Sequence, residues 1–116
     1  MGNQTLYKIA SQARRDLKRK KISDKLLIDL YKKYNPLIDI EKFIEESKKL
    51  FPKLNCGLAT VYLKHLIQEG EIINGKYEDK NHTFLLLKSK IVLDITSDQY
   101  GGPKIYVGKL KKPWSP

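Results

Sequence analysis

The chain has one cysteine, two histidines and no apolar run near the length of a bilayer span. A single thiol excludes an internal disulfide, so Cys56 is either a small buried hydrophobe or a reactive group. One cysteine with two widely separated histidines supplies no Cys/His cluster for a metal, and no metal is expected. A membrane helix needs roughly 20 consecutive apolar residues, which the sequence lacks. Residues 1–7 also lack the basic-then-apolar order of a secretory signal, so a soluble, cytoplasmic protein is expected. There is no glycine-rich phosphate loop; Gly101-Gly102-Pro103 reads as a turn, and no cofactor is expected. Internal repeats and low-complexity segments are absent.

What is present is enough for one compact domain. In 116 residues, 41% are hydrophobic, with seven tyrosines, three phenylalanines and one tryptophan to fill a core. The 23 Lys and Arg outweigh the 13 Asp and Glu, and the resulting +10 charge attracts polyanions or acidic proteins over long range. Within a single domain spanning 1–116, the reading divides the chain into a basic helical extension over 1–35, a core over 36–108 and a solvated tail over 109–116, with Trp114 as an anchor or a loose aromatic.

Leu6, Ile9, Ala10, Ala13 and Leu17 recur at three- and four-residue intervals and predict a helix over 5–20. Its second half exposes a basic face that includes Arg14, Arg15, Lys18 and Arg19. Ser23 is placed to cap a second helix, broken at Asn35-Pro36; Asp39 is placed to cap a third, with the stripe Ile40, Phe43, Ile44, Leu50 and Phe51, ended by Pro52 before a loop over 51–55. Over 57–69 apolar residues surround the helix axis, which predicts a central helix ended by Gly70. Four β-type runs follow, over 71–77, 83–87, 91–95 and 104–107. Helices first and antiparallel strands second give an α+β fold.

Cys56 precedes the central helix, between Asn55 and Gly57. At a helix N-terminus, unpaired amides and the helix dipole favour the thiolate, which is the form that attacks a carbonyl. The same amides suit an oxyanion, Gly57 permits close substrate approach, and either Asn55 or Gln99 is available as a side-chain donor. His82 opens one strand run and Asp94 lies near the end of the next. A three-residue loop, Lys88-Ser89-Lys90, sets Leu87 opposite Ile91 and Asp94 opposite Phe84, so His82 and Asp94 become diagonal neighbours on one face. A loop one residue shorter or longer separates them unless a bulge intervenes. In the favourable register Asp94 fixes the tautomer and orientation of an imidazole base.

The pattern Asn55-Cys56-Gly57, then Asn81-His82-Thr83-Phe84-Leu85, then Val92-Leu93-Asp94-Ile95-Thr96 resembles the papain-like superfamily in its transglutaminase-type arrangement, over roughly residues 50–108. That superfamily also includes the arylamine N-acetyltransferases. The run from Asp94 to Pro103, followed by Ile105-Tyr106-Val107-Gly108, is similar to the end of small bacterial or phage papain-fold proteins of the toxin or effector kind. The resemblance implies a Cys56–His82–Asp94 triad, with Asp98 and Gln99 in a turn beside it, and a peptide or protein amide as substrate. It leaves proteolysis, deamidation and acyl transfer equally open, and a toxin would come with a neutralising partner protein. The chain departs from papain proper in its small size and helical front end, with no glutamine close upstream of Cys56.

The competing reading is a non-enzymatic basic adaptor that binds nucleic acid or an acidic protein through Arg14, Arg15, Lys18 and Arg19, with the thiol incidental. No interleaving of aromatic and basic residues for reading bases accompanies that charge.

Overall fold

A computed structural model describes residues 2–34, 40–50 and 55–116, with Lys48 described by its backbone alone. The expected break at Asn35-Pro36, the Asp39 cap and the roles given to Phe51 and Pro52 lie outside the described residues. The fold is α+β. Helices α1 (Asn3–Lys18), α2 (Asp24–Tyr34), α3 (Ile40–Leu50) and α4 (Cys56–Ile67) precede strands β1 (Glu71–Tyr77), β2 (Lys80–Leu86), β3 (Ile91–Asp94), β4 (Tyr106–Lys109) and β5 (Trp114–Ser115). The strands form one antiparallel sheet in the order β4-β3-β2-β1-β5.

The main core lies between the helices and one face of the sheet. Leu6, Ala10, Ala13 and Leu17 of α1 meet Leu58, Val61 and Leu63 of α4, with Leu85, Leu93 and Ile95 beneath them. α4 is buried on nearly all sides, as its composition predicts. The opposite face of the sheet carries a smaller, aromatic-rich cluster of Tyr77, Phe84, Leu86, Val92 and Trp114.

Several boundaries differ from expectation for local reasons. The Ser23 hydroxyl accepts from the Leu26 amide at 3.2 Å and opens α2 as expected. Leu50, assigned to the buried stripe of α3, is exposed. α4 starts at Cys56 itself and closes on Gln68, whose left-handed backbone returns its amide to the Lys64 carbonyl; Gly70 takes a separate positive φ two residues later. β2 begins at Lys80, because the β1–β2 turn closes directly from Tyr77 to Lys80, and His82 becomes an interior strand residue opposite Gly75. β4 lies two residues later than the run expected over 104–107.

Arg14 is the clearest correction to the basic face. It lies on the inward side of α1, where its guanidinium makes a two-pronged pair with Asp98 at 2.8 Å per contact and donates to the Ile95 carbonyl at 2.7 Å. The reason is positional: residue 14 follows Ala13 and sits between Ala10 and Leu17 on the buried stripe. Of the four basic residues named for docking, Arg15, Lys18 and Arg19 remain exposed. The Arg14–Asp98 pair fastens α1 to the short 3-10 turn Ser97–Tyr100, which places Tyr100 beside the histidine described below.

The segment over 109–116 is a second correction. Its end pairs with β1, Tyr77 opposite Trp114 and Lys76 opposite Ser115, and the indole is buried. The close crossing depends on Gly75: a Cβ there would overlap the Ser115 carbonyl oxygen and crowd the Pro116 backbone. Gly75→Ala is therefore expected to lift β5 and cost about 1–3 kcal/mol. The check is the urea midpoint, with red-shifted Trp114 emission as the indole becomes wetter; an unchanged midpoint and spectrum would count against this packing.

Candidate active site

β2 and β3 run in the register that places the histidine and aspartate together. Leu85 pairs with Leu93 and Leu86 with Val92, and the Leu87 amide donates to the Ile91 carbonyl across Lys88-Ser89-Lys90. Extending that register puts Phe84 opposite Asp94, with His82 on the diagonal. His82 Nε2 and Asp94 Oδ2 are 2.6 Å apart and both side chains are buried. A carboxylate only accepts, so Nε2 is the nitrogen that carries hydrogen and Nδ1 is left for other work. Nδ1 is buried, and no group among the described residues makes a hydrogen bond to it.

Cys56 supplies the group that answers it. The sulfur and the imidazole line one cleft of about 320 Å³, together with Asn74, Gly75, Asn81 and Thr83. Burial pushes the Cys56 thiol up, but the neighbouring His82 imidazole and the Thr83 backbone, with the charge of His82, bring it below the ordinary thiol value. Burial pulls the His82 imidazolium down, yet the Asp94 hydrogen bond, followed by Cys56, raises it to about 9. Each partner favours the charged form of the other, which is the signature of a thiolate–imidazolium pair.

These shifts fix the pH window. His82 is raised above its ordinary 6.5, so its contribution to stability is complete below pH 6.5 and is lost as pH rises through about 9. Cys56 is lowered, so its contribution is present above the ordinary thiol value and is lost as pH falls through its folded value. The charged pair therefore occupies the interval between the two folded values.

Helix α4 is held against β2 at this point. The Thr60 hydroxyl lies 2.6 Å from the Cys56 carbonyl and 3.2 Å from the Thr83 carbonyl, sharing its one proton between α4 and β2. Asn55 precedes the helix but gives it no side-chain cap; its Nδ2 instead donates to the Ser47 carbonyl of α3 at 2.8 Å. The positive end of α4 is thus left without that capping oxygen, next to the sulfur.

Of the residues named from sequence, Cys56, His82 and Asp94 come together. The other three do not line the cleft: Asn55 faces α3, Gly57 lies half-buried on α4, and Gln99 sits in the 3-10 turn with a buried Nε2 that has no hydrogen-bond partner among the described residues. Asn74 and Asn81 line the cleft instead, although alternation alone marks them only as strand residues. Thr83 was legible as the neighbour of His82, but nothing in a side-chain pattern shows that its backbone serves the sulfur. Tyr31 is a further surprise: it reads as core of α2, yet its phenol is pushed up by burial and also by the charge of Cys56, which puts it within electrostatic reach of the thiol.

The imidazole is walled by aromatic rings. Tyr100 and Tyr77 meet it edge-on at centroid distances of 5.4 and 6.1 Å, and Phe84 lies at 6.4 Å. Behind Asp94, the Trp114 indole N–H donates to Oδ2 at 2.7 Å and the Thr96 amide donates to Oδ1 at 2.9 Å. Among the described residues no group of three or more His, Cys, Asp or Glu is arranged to hold a metal ion, and no helix is long and apolar enough to cross a membrane. Comparison of the chain with protein-family models, with curated proteins and with solved structures returned no match.

Proposed function

We propose that this protein is a cysteine-dependent acyl-transfer enzyme of papain-like type, acting on an amide bond of a peptide or protein. One observation carries the reading: a helix-initiating cysteine shares a cleft with an imidazole whose far nitrogen is bonded to a buried aspartate at 2.6 Å.

The Cys56 thiolate attacks the carbonyl carbon, forming a C–S bond as the carbonyl π electrons move onto oxygen. The amides at the start of α4 and the polar groups of the cleft are the donors nearest that oxyanion. As the C–N bond breaks, imidazolium Nδ1–H protonates the departing amine and leaves a thioester on Cys56. Neutral His82 then takes a proton from water or from an acceptor amine, whose attack breaks the C–S bond, releases the acyl group and restores the thiolate–imidazolium pair. Asp94 holds Nε2–H throughout, so Nδ1 remains the working nitrogen.

An activated ester such as p-nitrophenyl acetate tests this directly, because its good leaving group makes the acyl-enzyme accumulate. Intact-mass spectrometry is expected to show one acetyl group on the wild-type chain, lost after Cys56→Ala and slowed at least tenfold in His82→Ala. Acetylation that survives Cys56→Ala would assign the reactivity to surface lysines and remove the proposal. Peptide amides and glutamine-containing proteins, supplied with or without an added amine, then separate hydrolysis, deamidation and transfer.

A further inference from the structure

We propose that Trp114 is a positioning residue: its indole N–H pins the Asp94 carboxylate in the orientation that reaches His82, so that the last strand of the sheet completes the site. The proposal rests on the Cys56–His82–Asp94 reading above, and it assigns a role to a segment that the sequence presents as a tail.

In the strand order, β5 and β3 are separated by β1 and β2. Neighbouring strands lie about 4.8 Å apart, so a flat sheet would hold them roughly 14 Å apart, beyond what an indole and an aspartate can bridge. The 2.7 Å bond from Trp114 Nε1 to Asp94 Oδ2 therefore requires the sheet to curl, bringing β5 under the face that carries His82. The indole is locked when it arrives. It stacks on Tyr106 at 3.9 Å and 17°, meets Tyr77 edge-on at 5.2 Å, and is 4% exposed.

Asp94 then receives donors from three directions: Thr96 N–H on Oδ1, and His82 Nε2 and Trp114 Nε1 on Oδ2. Rotation about the Cβ–Cγ bond moves both oxygens together, and the single Thr96 amide bond on Oδ1 at 2.9 Å leaves the carboxylate a residual swing. The indole removes that freedom from a side that is fixed to neither β2 nor β3. A histidine held by a wandering carboxylate presents Nδ1 to the sulfur only part of the time, and misplacement of about 1 Å can cost a hundredfold in rate.

The surroundings make the effect readable. The titratable groups facing the histidine and indole are Cys56, Asp94, Tyr77, Tyr100 and Tyr106, with Glu78 beside Tyr77 and Lys80 over the Tyr100 ring. Burial raises all three phenols above their ordinary 10, so they stay neutral while His82 titrates.

The test uses the whole protein and its one tryptophan. In the ¹H–¹⁵N spectrum of the wild type, the indole resonance should lie downfield of an exposed indole and move as pH is carried through about 9, the His82 value. That movement should vanish in His82→Ala. Trp114→Phe keeps an aromatic ring but loses the donor; it is expected to slow Cys56 acetylation by about 10- to 100-fold and to move the acidic limb of the rate profile up towards the ordinary thiol range. A purely structural role would lower stability and leave the limb in place. Should Trp114→Phe fail to fold, the wild-type titration decides alone. An indole resonance at the exposed position, or one indifferent to pH while the thiol is reactive, overturns the proposal. An inert thiol with the indole still coupled to His82 sinks the acyl-transfer reading and leaves the contact standing.

Discussion

Replacing Asp94 with asparagine is expected to slow Cys56 acetylation by roughly 10³- to 10⁴-fold, the scale seen when a triad carboxylate becomes an amide. Every described group that meets this side chain at short range is a donor: Thr96 N–H at 2.9 Å, His82 Nε2 at 2.6 Å and Trp114 Nε1 at 2.7 Å. A carboxylate satisfies all of them, whereas an amide has one acceptor oxygen and one NH₂ group. If the oxygen faces Thr96, the NH₂ opposes the histidine and the indole. The ring can then meet it only in the other tautomer, with the proton on Nδ1 and no lone pair left for the thiol. If the oxygen faces His82, the NH₂ opposes the Thr96 amide. Either arrangement leaves buried donors unpaired at about 1–3 kcal/mol. The variant should therefore show a lower urea midpoint as well as a lost rate, and a folded Asp94→Asn that acetylates at the wild-type rate would separate Asp94 from the chemistry.

The part of this arrangement that was legible in the sequence was the part set by short-range periodicity. A three-residue link between Leu87 and Ile91 fixes the parity of the hairpin, and parity decides whether residues 82 and 94 share a face. The apolar surround of 58–67 likewise marks a helix buried on nearly all sides, with Cys56 at its start. What escaped notice depends on sheet curvature and on side-chain reach. Trp114 sits among prolines and lysines, and no local pattern ties it to Asp94; the bond exists because the sheet closes far enough for β5 to approach β3. Arg14 sits in a run of basic residues that reads as a solvated face. Only the helical angle, four positions after Ala10 and three before Leu17, shows that it points inward, and its carboxylate partner Asp98 lies 84 residues away. Asn55 illustrates the opposite error, since its place beside the cysteine suggests chemistry while its amide is spent on the Ser47 carbonyl.

The charge on Cys56 is the central claim, and its largest consequence lies below the ordinary thiol value. An ordinary thiol, with pKa about 8.5, loses its thiolate roughly tenfold per pH unit below that value, so a cysteine whose value is lowered keeps more of the reactive form there. The account assigns that advantage to His82, which keeps its proton until pH passes about 9. Loss of the ring removes the neighbouring imidazole and its positive charge from the sulfur, while the burial that raises the thiol remains. The most direct measurement is the rate of iodoacetamide labelling of Cys56 from pH 5 to 10, in the native wild type, in His82→Ala and in the denatured wild type. Only one thiol can respond. The account predicts a native rate that stays high well below pH 8.5, falling in His82→Ala and in denaturant to the profile of an ordinary thiol. A native thiol that is inert, or that follows the denatured profile, would contradict it.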